Sequence, residues 1–337
     1  MAETIAKVEG ARMGAADHPA IRAWWKLGTR HCVPDYVEIL TEQKNERGVY
    51  RLVGVGPAGA NVIAKKCDMQ SAGIEFTIYN EILPHLTISA LRCYASVADD
   101  NARYSWLFLE DAGDGEYLSN EEEHRILAGL WLGAMNASAQ RLSLPSHLSD
   151  RGPSSYLEVL HLAQSTTRER SQHPAFSIHD RYLLRAIAAH CEFLEMHWAR
   201  IEQFCERIPR TLVHGDLSLW NARIRAGQRG QRLLIMDWES AGWGVPAADL
   251  TQFAGNALTP DIAAYWSMAK DCWRGRDIND LHRLAALGTV FRWINAVQWA
   301  NQGFRESAVD WYLTEMSCYE PELAEWAMGT QCVLELK

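Results

Sequence analysis

Residues 211–224 read TLVHGDLSLWNARI, and residues 232–240 read RLLIMDWES. Asp216 follows a short apolar run, Asn221 stands five residues beyond it, and Asp237 ends the second apolar run. The runs read as two short strands, 211–214 and 232–237, and a hairpin of the two brings the three polar groups to one edge. Such a trio suits phosphoryl transfer, which asks for an oriented nucleophile, a held Mg2+ and neutralised phosphate oxygens rather than covalent work by the protein. A carboxylate facing an acceptor hydroxyl takes its proton, while an amide oxygen and a second carboxylate are hard ligands suited to Mg2+. A single Asp in a loop is ordinarily a turn or cap residue, so the weight lies on the joint spacing.

Upstream, AIRAWWKLGTRH (20–31) reads as a short helix before Pro34. YVEILTEQ, GVYRLVGV and NVIAKKC then follow as three antiparallel strands separated by turn chemistry. SAGIEFTIYNEILPHL has apolar residues at helical spacing, and RYSWLFLED is a further strand. Beyond it the pattern turns helical. Ser119 and Glu122 have the spacing of a capping box, and the acidic run 121–123 reads as a first helical turn. PSSYLEVLHLAQ and one long helix, DRYLLRAIAAHCEFLEMHWARIEQFCERI, precede the two short strands, and the remainder is again helical. The plan is α+β: a strand-rich part over residues 1–110 and a mainly helical part over 111–337.

H-G-D-x-x-x-x-N, an apolar strand ending in D-W-E, and then G-x-x-x-x-D-L (Gly244–Leu250) resemble the aminoglycoside phosphotransferase and choline kinase-like superfamily, including its ecdysteroid-kinase-like branch. The resemblance covers roughly Tyr36 to Leu250. It implies a bilobal protein-kinase-like fold, with an antiparallel-sheet nucleotide-binding lobe and a helical lobe for catalysis and substrate. It implies Asp216 as catalytic base, Asn221 and Asp237 as Mg2+ ligands, and ATP or GTP as phosphate donor. Gly215 stands where protein kinases have arginine, and Ser218 where they often have lysine; both departures point to a small-molecule acceptor. His214 is expected to be structural, because the transfer needs no imidazole. Asp249 is expected to hydrogen-bond backbone and steady the loop. Glu239 is read as a cap or salt-bridge residue and left outside the assigned site. Where the family commonly has a histidine, this chain has Asn136.

A kinase of this kind draws a lysine from its third strand and pairs it with a glutamate on the next helix. VIAK places Lys65 there, with Lys66 on the opposite strand face as the alternative. The spacing of Glu75, Tyr79 and Leu83-Pro84 resembles the family pattern and selects Glu75, with Glu81 as runner-up. That placement decides the reading of GVGPAGA (54–60), a G-x-G-x-x-G. Gly59 lies six residues before Lys65, too few for a turn and a whole strand at about 3.3 Å per residue. The glycines therefore read as the hairpin between strands two and three. A dinucleotide-binding turn needs a helix to open at the third glycine, and a Walker A loop needs Gly-Lys-Ser/Thr; neither is present. The phosphate-facing loop falls on QKNERG (43–48), with Asn45 and Gly48 as nucleotide contacts. The base falls beside LFLEDAG (107–113), at Leu109 and Asp111.

The net charge of −9, with no basic run, argues against nucleic acid. Eight scattered cysteines without a C-x-x-C pair read as free thiols in a reducing compartment. No signal peptide is evident, and the apolar stretch 284–302 carries Arg292, Asn295 and Gln298, so a buried helix is expected, not a membrane span. A cytoplasmic enzyme acting on a small hydroxyl-bearing molecule is the expectation. The many late tryptophans are core residues or an aromatic wall for a ligand. Two rival readings are a non-catalytic nucleotide-binding module, disfavoured by the intact Lys-Asp-Asn-Asp set, and a metal-dependent hydrolase, for which the twelve histidines lack ligand spacing.

Overall fold

A computed structural model describes residues 18–28, 33–42, 47–100, 102–142, 148–174, 176–228, 230–303 and 309–334. Five antiparallel strands form the N-terminal sheet: β1 (Val37–Glu42), β2 (Gly48–Leu52), β3 (Val62–Asp68), β4 (Cys93–Ala98) and β5 (Tyr104–Glu110), in the order β1-β2-β3-β5-β4. Strand alternation gives this sheet two different faces. Val62, Ala64, Trp106 and Phe108 pack outward under helix α1 (Pro19–Trp25), with Ile21 and Trp24 covering them. Cys67, Leu107 and Leu109 point inward and join the main core of the molecule. Burial on both sides explains why β5 is a continuous apolar run. The same alternation separates the two lysines. Lys66 lies outward, its ammonium 4.9 Å from the Tyr104 ring and 5.9 Å from that of Trp106, while Lys65 shares the inner face.

GVGPAGA forms the connection between β2 and β3, as expected; Gly54 and Gly59 take φ angles of 79° and 76°, which only glycine adopts without strain. After β3, Asp68 caps helix α2 (Met69–Thr77) by accepting from the Ser71 amide at 2.9 Å. A wide turn at 78–82 and a tight one at 83–85 continue it toward β4, a strand for which the sequence analysis had no element.

Helix α3 (Glu122–Ala139) begins the helical part. The expected capping box does not form. The cap position is Glu121, with no side-chain bond, because the chain before it stays turned: Leu118 donates to His124 Nδ1 at 3.0 Å and Arg125 holds the Ser119 carbonyl. Strand β6 (Ser149–Arg151) leads to α4 (Pro153–Arg170), α5 (Ile178–Met196) and α6 (Trp198–Cys205). The single long helix expected over 180–208 is therefore two. His197 leaves helical geometry at φ −104°, ψ 3°, its Nδ1 donating to Phe193 O at 2.8 Å.

The strand pairing around the decisive motif also differs from expectation. Strand β7 (Thr211–Val213) does not pair with the second apolar run. That run is β9 (Gly230–Ile235), and its partner is β8 (Ala222–Gly227) immediately after Asn221. β7 pairs instead with β10 (Gly242–Gly244), which also pairs with β6. The glycines of β10 permit this close three-strand contact: a Cβ at Gly244 would lie 2.1 Å from Arg151 backbone. Helices α7 (Ile262–Ala269), α8 (Ile278–Gly303) and α9 (Val309–Leu334) complete the chain. Among the described residues no helix is long and apolar enough to cross a membrane, and α8 is largely buried. The six cysteines with described side chains are free thiols. Asn136 ties three elements together: its amide donates to Leu212 O at 3.0 Å, its carbonyl accepts from Thr211 Oγ1 at 3.1 Å, and its Oδ1 accepts from Tyr265 OH at 2.9 Å.

Helix α8 meets the turn at 248–250 through Gly288, where a Cβ would fall 1.8 Å from Ala247 O. Gly288→Ala should destabilise the protein by about 2 kcal/mol through overpacking, outweighing a helix-propensity gain of about 1 kcal/mol. Chemical denaturation checks this; unchanged stability would mean that the contact yields without cost.

Candidate active site

Two loops converge where the small sheets end. The first, after β7, carries His214, Gly215 and Asp216. His214 is fully buried, and its backbone N–H and that of Gly215 donate to the two oxygens of Asp249 at 2.7 and 2.9 Å. The His214 ring accepts from the Asp216 amide on Nδ1 at 3.3 Å and donates from Nε2 to Met236 O at 3.1 Å. These partners define the tautomer and make the imidazole a brace between the loops. Gly215 sits at φ 83°, and a Cβ there would meet Ser240 O at 2.6 Å, so neither the backbone nor the space admits the arginine of protein kinases.

Asp216 itself is exposed, and Asn221 orients it: Asn221 Nδ2 donates to the Asp216 carbonyl and to its Oδ2, both at 3.0 Å. With Nδ2 directed this way, Asn221 presents Oδ1 as its remaining oxygen. The Asn221 carbonyl accepts from the Met236 amide at 2.9 Å. Met236 is thus bonded to both ends of the 214–221 loop, and the next residue is Asp237.

Asp237 adopts a left-handed backbone, φ 67° and ψ 63°. Such a conformation is uncommon for a residue with a side chain and concentrates at functional positions. It directs Oδ1 to Lys65 Nζ at 2.5 Å; Glu75 Oε1 lies at the same distance from that ammonium. Glu75 is fully buried on α2 and its Oε2 has no protein partner. Glu239 completes the group: Glu75, Asp237 and Glu239 each bring an oxygen within 4.8 Å of the other two. Glu239 lies outside the site expected from the sequence. The available signal was its spacing, since one tight turn over 238–240 returns it to the side of Asp237.

Three carboxylates therefore face one ammonium. Burial opposes the charge on Lys65, but Glu75, Asp237 and Glu239 outweigh it and hold the lysine well above its ordinary value. Burial also pushes Asp237 up, but Lys65 prevails and holds it below the usual carboxylate range. Glu75 goes the other way: burial, with Asp237 and Glu239 adding to it against the pull of Lys65, raises it to about 7. Glu239 is raised by burial and then by Asp237. The excess of hard, negatively charged oxygens, one of them buried and unpartnered, is a donor set that fits a divalent cation.

The remaining expected positions divide. Glu81 is exposed in the turn after α2, away from the Lys65 pair. Leu109 is buried in the inner face of β5. The Asp111 carboxylate is engaged by Arg51 Nε at 2.7 Å and by the Gly113 amide at 2.9 Å. Gly48 opens β2 opposite Lys66, and Asn45 lies outside the described residues.

Residues 58–307 match the phosphotransferase enzyme family, and the chain belongs to that family. Its fold is similar to that of APH(2″)-IIIa bound to GDP and kanamycin, with 14% identity, a TM-score of 0.60, and coverage of 90% of this chain and 99% of that one. It is similar also to spectinomycin phosphotransferase APH(9)-Ia bound to ADP and spectinomycin, at 9% identity and TM-score 0.58, covering 95% and 99% of the two chains. Choline kinase from Cryptosporidium parvum Iowa II aligns at 12% identity and TM-score 0.56, over 88% of this chain and 91% of that one. At such identities the likeness is one of fold, and that fold is the bilobal, kinase-like α+β architecture. No match to the chain was found among curated proteins.

The Glu75 shift carries a sign. Between the unfolded value of 4.5 and the folded value of about 7, the folded state keeps a proton that the unfolded state has released, so stability falls as pH rises through that window. Glu75→Gln should flatten this slope in metal- and nucleotide-free protein, read from urea unfolding across that range. A slope equal to that of the unsubstituted protein would show that Glu75 does not titrate there.

Proposed function

We propose that this member of the phosphotransferase family transfers the γ-phosphate of ATP or GTP to a hydroxyl of a small molecule. One observation carries the reading. Lys65 is held between Glu75 and Asp237, while backbone and imidazole bonds through Met236 tie Asp237 to the loop of Asp216 and Asn221. Phosphate-binding charge and acceptor-facing carboxylate are thereby fixed relative to each other. In this reading residues 1–110 serve the nucleotide and residues 111–337 serve catalysis and the acceptor, in a cytoplasmic enzyme.

The nucleotide lies between the sheet and the helical part, its base beside the linker at 109–113 and its phosphates near Lys65. Asn221 and Asp237 would hold Mg2+, which neutralises phosphate charge when bound. Asp216, held by Asn221, points the acceptor hydroxyl at the γ-phosphorus and receives its proton. The acceptor oxygen bonds to phosphorus as the bond to the bridging oxygen breaks, and the nucleoside diphosphate departs with those electrons. No side chain is placed to form a phosphoenzyme, so transfer is direct.

The acceptor side is supported by helix α8. Arg292 reaches the Leu217 carbonyl at 3.4 Å and Asn256 Oδ1 at 2.9 Å, beside the Asp216 loop. From there half-exposed Asn295, Ala296 and Trp299 follow on one helical face. Trp299 meets Trp311 and Tyr312 edge-on at 5.4 and 5.2 Å. Trp273 and Trp293, by contrast, are core residues. This aromatic end of the helix suits a ring-bearing acceptor, an aminoglycoside or another antibiotic or natural product.

A γ-labelled ATP and GTP transfer screen over antibiotics, nucleosides, sugars and amino alcohols tests the reading. Asp216→Asn should lower kcat by about 10³-fold with nucleotide affinity retained. Equal transfer by that variant would remove Asp216 from its role. Nucleotide-induced thermal stabilisation with no product anywhere in the panel would favour the non-catalytic module.

A further inference from the structure

The segment joining β5 to the helical part runs Glu110-Asp111-Ala112-Gly113-Asp114-Gly115. Only Ala112 in it is buried, and Gly113 has a positive φ of 83° in open space, where an added Cβ would meet nothing within 4 Å. A cavity of about 450 Å³ lies against it, lined by Asn61, Asp111, Ile224 and Arg225 among others. Backbone contact fixes the far end, where Gly115 O accepts from Ile224 N at 2.8 Å and a Cβ on Gly115 would fall 2.0 Å from Ile224 O. Over 110–114 the linker is held by side chains, chiefly two arginines, with Asn61 Nδ2 adding a 3.3 Å bond to Asp111. Arg225, on β8, donates Nη1 to the Glu110 carboxylate, Nη2 to the Asp111 carbonyl, and Nε to the Ala112 carbonyl at 3.4 Å. Arg51, on β2, approaches from the sheet. It pairs with Glu38 at 2.9 Å and with Asp111 and Asp114 at 2.7 Å each.

We propose that Arg225 is a positioning residue for the nucleotide, clasping the linker to the helical part while Arg51 clasps it to the sheet, so that together they set the linker backbone against which the base binds. The inference rests on the phosphotransferase reading for its ligand and on the two arginines for its mechanism. Arginine suits the task because its planar fork spreads donors over one carboxylate and two successive carbonyls. A lysine keeps the charge and loses that geometry. The Arg51–Asp111 pair is the more buried, with 12% and 13% of its side-chain surface exposed, whereas the Arg225–Glu110 pair keeps 28% and 33% exposed, and ion pairs so open to water add little to folding stability. Its effect therefore belongs in linker order and ligand affinity, where a purely structural contact would show mainly in melting temperature.

Two readouts test it on the full-length protein. Amide hydrogen exchange over 110–115 without nucleotide should be about tenfold faster in Arg225→Ala and in Arg225→Lys than in the unsubstituted protein. Calorimetric titration with Mg-ATP and Mg-GTP should show Kd raised about tenfold in Arg225→Ala and nearly as much in Arg225→Lys, with the nucleotide-free Tm moved by less than about 2 °C. Adding Glu110→Gln to Arg225→Ala should worsen neither readout, because the two act as one unit. Unchanged exchange would overturn the clasp whatever the nucleotide does. Faster exchange with unchanged Kd would overturn its positioning role, as would an affinity loss matched by a falling Tm. If the unsubstituted protein binds neither nucleotide, the phosphotransferase reading fails and the positioning role with it, while the exchange result still decides whether the clasp exists.

Discussion

The ammonium of Lys65 is where the two parts of the molecule meet. It leaves the inner face of the sheet, finds the buried Glu75 of α2, and bonds Asp237 from the helical part. Burying an ammonium costs more than one carboxylate returns unless the geometry is close and further partners are present. Here three carboxylates surround it, so the lysine stays charged and the group as a whole is left with surplus negative charge. A folded protein relieves such a surplus by protonation, as the raised Glu75 shows, or by a cation. The same surplus of negative charge underlies the pH slope expected of the free protein and gives a divalent cation a favourable place.

Everything on the helical side of that contact is organised to hold Asp216 and Asp237 in register. Asp249 accepts two successive amides, His214 braces across to Met236, and Asn221 orients the Asp216 carboxylate. Desolvation raises the Asp249 carboxyl, opposed by His214 and by those amide bonds. A buried carboxylate on backbone donors is costly to lose, because removing it orphans both amides at once. Asn136 makes a comparable triple bond set one layer deeper, fixing β7 against α3 and α7.

Four of the five sheet strands, the glycine hairpin and the aspartate-asparagine-aspartate motif were legible in the sequence because each rests on local periodicity or fixed spacing, whereas β4, Cys93–Ala98, was not. Lys65 and Lys66 differ by one residue, and strand alternation alone sends one to Glu75 and the other to Tyr104 and Trp106. What escaped was non-local. β7 pairs with β10, about thirty residues away, instead of with β9, and β10 in turn takes β6 on its other side through Gly242 and Gly244, whose missing Cβ atoms let the Ser149–Arg151 backbone close in. The break at His197 comes from a ring turning back to a carbonyl four residues earlier, which apolar periodicity cannot register. Glu239 stands in the D-W-E motif, but only the tight turn over 238–240 shows that it returns beside Asp237. Arg225 has no motif to mark it and gains meaning from the groups that the fold sets around it.

The contrast between these two residues reflects a division of labour. Lys65, Glu75 and Asp237 are held by short contacts with little solvent at the ammonium, where a displacement of a fraction of an ångström leaves a charge unpaired and is strongly resisted. The linker at 110–115 is held in part by the partly exposed Arg225, acting on two backbone carbonyls and one carboxylate. In the proposed reaction a nucleotide enters and its diphosphate leaves between the two parts, which asks the connection between them to give without unfolding either. Ion pairs open to water can part and re-form at small cost, whereas a packed core would move only by losing many contacts together. Rigid chemistry and a yielding hinge therefore draw on the same residue types, separated by how far each lies from solvent.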